Sequence, residues 1–409
     1  SATWSAGVIT ISGTPTSSAG SPYAYSIPLI GACGTEVAAG TITVNPKAEI
    51  NNLSETICTG GSFATTPVDG TDGVIPVGTT YTWTAPTISG GLSGGISGSG
   101  SSISGTLVNF TNIAQTATYT VTPTSGTCLG TPFTLTVTVN PSPAIPAQTA
   151  TICDEETFTV APVNGGATRV PTGTTYTWTV VDNTNVSGEA NQPTAQSEIS
   201  QALTNNSNVP QNVIYTVTPA SGSCIGNPFT VTVTVNPNPE IPDLTETICS
   251  DSPFTISPSN GGGVIVPTGT TYTWTVADNP NVTGESNQAS AQTNISQTLV
   301  NLTNLPETVI YTVTPRSGAA GNCVGDPFTV TVTVNPSPMI EDVTDIICSG
   351  DTFTVSPSDG GSTIVPTGTV YTWTVVNNPN LTGESTQTSA QANISQTLTN
   401  TSSSPQTVI

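Results

Sequence analysis

Eight cysteines recur at two stations along this 409-residue chain, and they are the residues best placed to do chemistry. Cys58, Cys153, Cys249 and Cys348 hold one station; Cys33, Cys128, Cys224 and Cys323 hold the other. None forms a Cys-x-x-Cys pair, so no zinc site is expected. Without His, hydrolase triads and most metal sites lose their usual member. A Ser-Lys pair would need Lys47, which has no counterpart in the later repeats. Asp154-Glu155-Glu156 and Glu341-Asp342 fall at different repeat positions, and nothing aims two carboxylates at one cleft. Glu189, Glu285 and Glu384 do recur, inside Gly-Glu-Ala/Ser, and read as solvated loop acids. No catalytic, cofactor-binding or metal residue is expected. Calcium at the junctions is left open by scattered acids, although no Asp-x-Asp-x-Asp-Gly loop occurs.

These stations sit inside an internal repeat. Tyr-Thr-Trp-Thr occurs at Tyr81–Thr84, Tyr176–Thr179, Tyr272–Thr275 and Tyr371–Thr374, with its Trp returning after 95, 96 and 99 residues. Val-Asn-Pro closes each unit at Pro46, Pro141, Pro237 and Pro336. A period near one hundred residues is too long for a solenoid and fits independently folded beads. The divisions are 1–46, 47–141, 142–237, 238–336 and 337–409. Ser1 opens inside a repeat-like segment and Ile409 stops where Tyr-Thr-Val-Thr-Pro would follow, so the first and last divisions read as parts of cut units.

Unit 238–336 is the clearest. Pro239–Ile248 and Pro253–Pro258 read as strands. Thr270–Val276 then alternates, with Tyr272 and Trp274 on one face and Thr271, Thr273 and Thr275 on the other. A polar stretch, 278–292, separates this strand from another around Ile295–Leu299. Val309–Pro315 and Phe328–Val334 alternate again. About seven strands without helical periodicity predict an all-β immunoglobulin-like sandwich, with the units arranged as a linear string. Tyr81, Trp83, Tyr176, Trp178, Tyr272, Trp274, Tyr371 and Trp373 are its expected core aromatics. The regular alternation argues against a disordered mucin-like stalk.

Paired cysteines in small exported domains favour disulfides, and three regular pairings are open. Cys58–Cys128, Cys153–Cys224 and Cys249–Cys323 would close loops within units. Cys33–Cys58 and its equivalents would join residues 25 apart. Cys58–Cys224 and Cys153–Cys323 would skip forward between neighbouring units. In such a sandwich the first turn and the last hairpin lie at opposite ends. An eight-residue strand spans roughly 26 Å, whereas bridged Cα atoms lie within about 7 Å. The across-linker pairing is therefore the worst. The skipping pairing is preferred because it puts both cysteines at a junction, and the within-unit pairing is the runner-up.

Ile-Ser-Gly-Thr-Pro-Thr at 11–16 resembles immunoglobulin-type repeats of bacterial surface proteins. The later units, with Ile-Cys-Ser-Gly, Tyr-Thr-Trp-Thr, Tyr-Thr-Val-Thr-Pro and Val-Asn-Pro, resemble the PKD-like repeats of very large Bacteroidota proteins. That resemblance implies export through the outer membrane by a type IX system, and roles in adhesion, gliding or surface filaments.

Charge and composition narrow the partners. With 25 acids against three bases, the net charge of -22 opposes binding to nucleic acid or to an anionic membrane surface. No run of eighteen apolar residues occurs, so no helix inserted in a membrane is expected. Scarce Lys leaves strand edges unguarded, and the neutral Thr faces suit side-by-side packing, so self-association into a homo-oligomeric fibre is expected. The leading expectation is a non-catalytic stalk or filament segment of a secreted cell-surface adhesin, with a distal target. The alternatives are a carbohydrate- or protein-binding repeat and the spacer of a surface enzyme. Asn-x-Ser/Thr triplets such as Asn281–Thr283 and Asn301–Thr303 leave glycosylation open.

Overall fold

Units 47–141, 142–237 and 238–336 each fold around a closing strand in which four apolar residues alternate with Thr. The computed structural model describes residues 1–31, 34–318 and 321–409, and no helix occurs among them. In 238–336 the closing strand, Phe328–Asn335, buries Phe328, Val330, Val332 and Val334 and leaves Thr329, Thr331 and Thr333 half-exposed. The period of two sends alternate side chains to opposite faces, so this pattern fixes which face meets the core.

The main sheet of that bead runs in the order Leu244–Cys249, Phe328–Asn335, Glu307–Arg316, Thr271–Val276 and Gln288–Gln292. A second sheet pairs Ser252–Ile256, Ile295–Asn301 and Val282–Thr283. Between them Tyr311 is fully buried and packs on Phe254 at 5.5 Å, while Tyr272 meets Phe328 edge-on at 6.5 Å. Beads 47–141 and 142–237 repeat both ring pairs. Each of the three beads has its own apolar core. Trp83, Trp178 and Trp274 are buried as the alternation predicts.

One pairing departs from simple antiparallel order. The opening strand Leu244–Cys249 runs parallel to the closing strand, from Leu244 beside Val330 to Cys249 beside Asn335. Leu53–Cys58 and Gln148–Cys153 do the same in their beads. Both strands therefore travel along the bead in one direction and end together at its far end.

One expectation needs correction, and two divisions stand apart. Bead 238–336 has eight strands rather than about seven, because the polar stretch contributes Val282–Thr283 and Gln288–Gln292. Gln288–Gln292 is an edge strand, exposed between its two half-buried glutamines, so hydrophobic alternation could not reveal it. In 337–409, Tyr371 and Trp373 are only half-buried. Their strand pairs with Gln387–Gln391 in the same register as Tyr272 and Trp274 with Gln288–Gln292. Residues 1–46 form two exposed hairpins, Ala2–Ser5 with Val8–Ile11 and Tyr23–Gly31 with Gly34–Ile42.

Candidate functional site at the bead junctions

The junctions gather the cysteines, the linkers and a recurring asparagine. In the three complete beads the opening strand ends on the first-station cysteine, and the next residue turns the chain towards the following strand. Cys58 is bridged to Cys224 and Cys153 to Cys323, with Cα separations of 5.4 and 5.6 Å. Each bridge joins one bead's opening strand to the hairpin that begins the closing strand of the next bead. Cys128, Cys249 and Cys348 are unbridged, and Cys33 lies outside the described residues. No within-unit pair of the runner-up scheme is formed among the described residues. The direction of the opening strand explains the outcome: because it runs parallel to the closing strand, its last residue reaches the far end of the bead.

The residue after each first-station cysteine is held from two sides. Its N–H donates to the asparagine that ends the closing strand: Thr59 to Asn140 at 2.9 Å, Asp154 to Asn236 at 2.8 Å, Ser250 to Asn335 at 2.8 Å. Its side-chain oxygen accepts the N–H of a second asparagine. Asn109 donates to Thr59 at 2.7 Å, Asn205 to Asp154 at 2.6 Å, Asn301 to Ser250 at 3.0 Å and Asn400 to Ser349 at 2.9 Å.

These second asparagines form a corner. Asn301 is 2% exposed; its Nδ2 donates to Leu305 O and Val334 O, and its Oδ1 accepts from the N–H and hydroxyl of Thr303. Asn109 and Asn205 make the same set, with Thr111 and Ser207 as the hydroxyl partners. The Asn-x-Ser/Thr triplet at 301–303 is therefore a folding motif with its amide fully used. The signal was in the sequence: the triplet recurs at 109, 205, 301 and 400 at the bead period. Asn281, by contrast, lies in an exposed position.

The linkers are also fixed. Ala144 pairs with Arg169, Glu240 with Ile265 and Met339 with Ile364 as short bridges onto the following bead. Asn238 Nδ2 donates to Asp154 O at 3.2 Å, and Ser337 Oγ donates to Ser250 O at 3.3 Å. Desolvation raises the Asp154 carboxyl above its ordinary value, opposed by N–H donors from Asn205 and Glu155. A crevice of about 410 Å³ separates Ile113 and Pro141 from Pro171 and Ser221. One of about 240 Å³ lies between Val209 and Pro237 and Pro267 and Ser317. Neither brings together titratable groups.

Glu189, Glu285 and Glu384 are not simple solvated acids, which corrects the sequence reading. Oε1 accepts the N–H of Asn183, Asn279 or Asn378, and Oε2 is buried. The preceding glycine at 284 has a φ of +99°, and a Cβ there would strike the Thr298 carbonyl. The next residue's carbonyl, Ser286 O, accepts both the Trp274 indole at 3.1 Å and Gln297 Nε2 at 2.8 Å. Gln297 Oε1 takes the Tyr311 hydroxyl at 2.9 Å. Burial pushes the Tyr272 phenol up to about 12. Tyr215 and Tyr311 are also raised, by burial first and then by the charges of Glu189 and Glu285. Bead 47–141 replaces this glutamate and glutamine with Gly95 and Gly105, whose Cα atoms lie against Tyr119 and Phe63.

Among the described residues, no cluster of three or more His, Cys, Asp or Glu is placed to hold a metal ion. No helix is long and apolar enough to cross a membrane.

These features define a class: an all-β chain of tandem immunoglobulin-type sandwiches joined by disulfides, of the kind typical of extracellular and structural proteins. The chain belongs to the PKD-like domain family, which matches residues 55–143, 150–239, 246–338 and 345–409. No curated protein matches it. Among solved structures, titin domains I67–I69 are 9% identical, covering 71% of this chain and 98% of that chain at a TM-score of 0.31. The human desmocollin-1 ectodomain is 13% identical, covering 86% and 73% at a TM-score of 0.24. Mouse cadherin-23 EC22–24 is 13% identical, covering 70% and 96% at a TM-score of 0.22. Likeness at these scores adds nothing to the family assignment.

Proposed function

We propose that this chain is a non-catalytic stalk segment of a large secreted cell-surface adhesin or extracellular filament, needing no cofactor. The observation that carries the reading is the disulfide across both junctions between the three complete beads. A catalytic or binding array gains little from stapling neighbouring beads, whereas a spacer gains stiffness. Linker prolines reinforce this, since Pro fixes φ and constrains its predecessor. Exposed aromatics that would favour a ligand-gripping bead are few: Trp83, Trp178 and Trp274 are committed to their cores. Export across an outer membrane by a type IX route, with an adhesive tip elsewhere in the parent protein, follows the resemblance noted above.

The stalk is also proposed to bundle with identical chains. Gln-Ala-Ser-Ala-Gln at 288–292 leaves one edge of the main sheet unpaired and uncharged, and 192–196 and 387–391 repeat the position. An edge without Lys or inward charge permits edge-to-edge pairing. Electron microscopy of the native cell surface with antibodies to 238–336 tests both ideas. Rods whose length scales with bead number are expected, thickened where chains associate. Label confined to the cell interior, or binding of an isolated bead to a glycan array, would overturn the stalk reading.

A further inference from the structure

We infer that the staples make the string of beads a two-ply covalent cable. Each ply runs alternately through the opening strand of one bead and the closing strand of the next. The inference rests on the stalk reading for its use, but its geometry is independent of that reading.

One ply can be followed residue by residue. It passes along Leu53–Cys58, crosses to Cys224, follows Phe229–Asn236, and continues through the linker into Leu244–Cys249. The other passes along Phe133–Asn140 and Gln148–Cys153, crosses to Cys323, and follows Phe328–Asn335 towards Cys348. In every complete bead the two plies lie side by side as the parallel, hydrogen-bonded opening and closing strands. Parallel order is required for this, because only then do both strands advance along the rod.

Spacing separates the cable from the rest of the bead. From second-station cysteine to the next first-station cysteine the interval is always 25 residues: 33 to 58, 128 to 153, 224 to 249 and 323 to 348. Within beads the intervals are 70, 71 and 74 residues. Length variation is thus confined to the segments that the staples bypass. A 25-residue segment reaches at most about 85 Å. Its two strands, of eight and six residues, already use about 46 Å as extended chain. The other 11 residues cap the slack of a ply at about 39 Å per bead, and the longer within-bead segments lie outside both plies. Cys249 and Cys348, both exposed and unbridged, stand where the two plies would take their next rungs.

The cable has a signature that other pairings lack, because either staple alone still bypasses most of the chain between Cys58 and Cys323. Between Cys58 and Cys323 the shortest route uses both staples and the 71 residues between Cys153 and Cys224; the second staple alone leaves a route of 95 residues, and the first alone one of 99. Chain 1–409 is to be held by its termini, with free thiols alkylated, and stretched to full extension in a single-molecule force experiment. The oxidised protein should extend this segment to about 250 Å, and a dithiol reductant should release it to about 900 Å. Cys224→Ser alone and Cys323→Ser alone should each lengthen the oxidised segment only to about 330–340 Å, because the remaining staple still bypasses most of the chain. The double variant should reach the reduced length. Equal oxidised and reduced lengths, or single variants that each recover a large share of the difference, would overturn the cable. Intracellular location of the native protein would remove the stalk reading and leave these lengths unchanged.

Discussion

Asn301 donates its N–H to Ser250 Oγ at 3.0 Å, and through this contact the bead's corner holds the residue that follows a junction cysteine. Four beads make the contact with Thr, Asp, Ser and Ser as the acceptor, so its chemistry is conserved within the chain while the acceptor's identity varies. Asn301→Ala would orphan Val334 O, Leu305 O and the Thr303 N–H together. A loss of roughly 3 kcal/mol is expected, since each unsatisfied buried group costs about 1–3 kcal/mol and water relieves part of it. Denaturant unfolding followed by hydrogen exchange at Tyr311–Val313 would measure it. An unchanged protection pattern would refute the corner's role.

Glycan mapping supplies a second check on the same residue. If the chain is glycosylated at asparagine, peptides bearing the exposed Asn281 should carry the sugar. Those bearing Asn109, Asn205 and Asn301 should be unmodified, because these side chains are buried and each Nδ2 holds two backbone carbonyls, whereas Asn281 gives only one exposed bond, to Glu307.

Gln297→Ala removes the acceptor of the Tyr311 hydroxyl and one of two donors to Ser286 O. We expect a cost of about 1–3 kcal/mol. The intrinsic fluorescence of Trp274 should shift to the red as the loop that accepts its indole loosens. Gly105 occupies this position in bead 47–141, so the matching substitution Gly105→Gln should be tolerated only if Phe63, which lies against Gly105, can move.

Stability should fall in alkali. Tyr272 holds its proton up to about 12 when folded and only to about 10 when unfolded, so the unfolded chain releases protons first. The stabilisation is fully present below pH 10 and is lost as pH rises from about 10 to about 12. Tyr215 and Tyr311 are shifted in the same direction. Thermal melts at pH 8, 10 and 11.5 should show a steady Tm to pH 10 and a decline beyond it.

Reduction should loosen junctions without melting beads, because each core is closed on itself. Near-UV dichroism is expected to persist while the maximum dimension from X-ray scattering spreads.

Much of the bead was legible because Thr alternates with Val, Tyr and Phe, and a period of two leaves one assignment of faces. The edge strand 288–292 was not legible, since an exposed strand of small polar residues carries no alternation. Glu285 looked like a loop acid for a similar reason. Its burial comes from Gly284 bringing the loop against Thr298, a contact distant in sequence.

The order of residues by itself determined the bead, its length, the face each strand buries and the two cysteine stations, all of which depend on neighbours along the chain. Tertiary structure decided that the opening strand lies parallel to the closing one, which carries Cys58 to the junction and within bonding distance of Cys224. Strand direction is settled by packing across a sheet, and no local pattern encodes it.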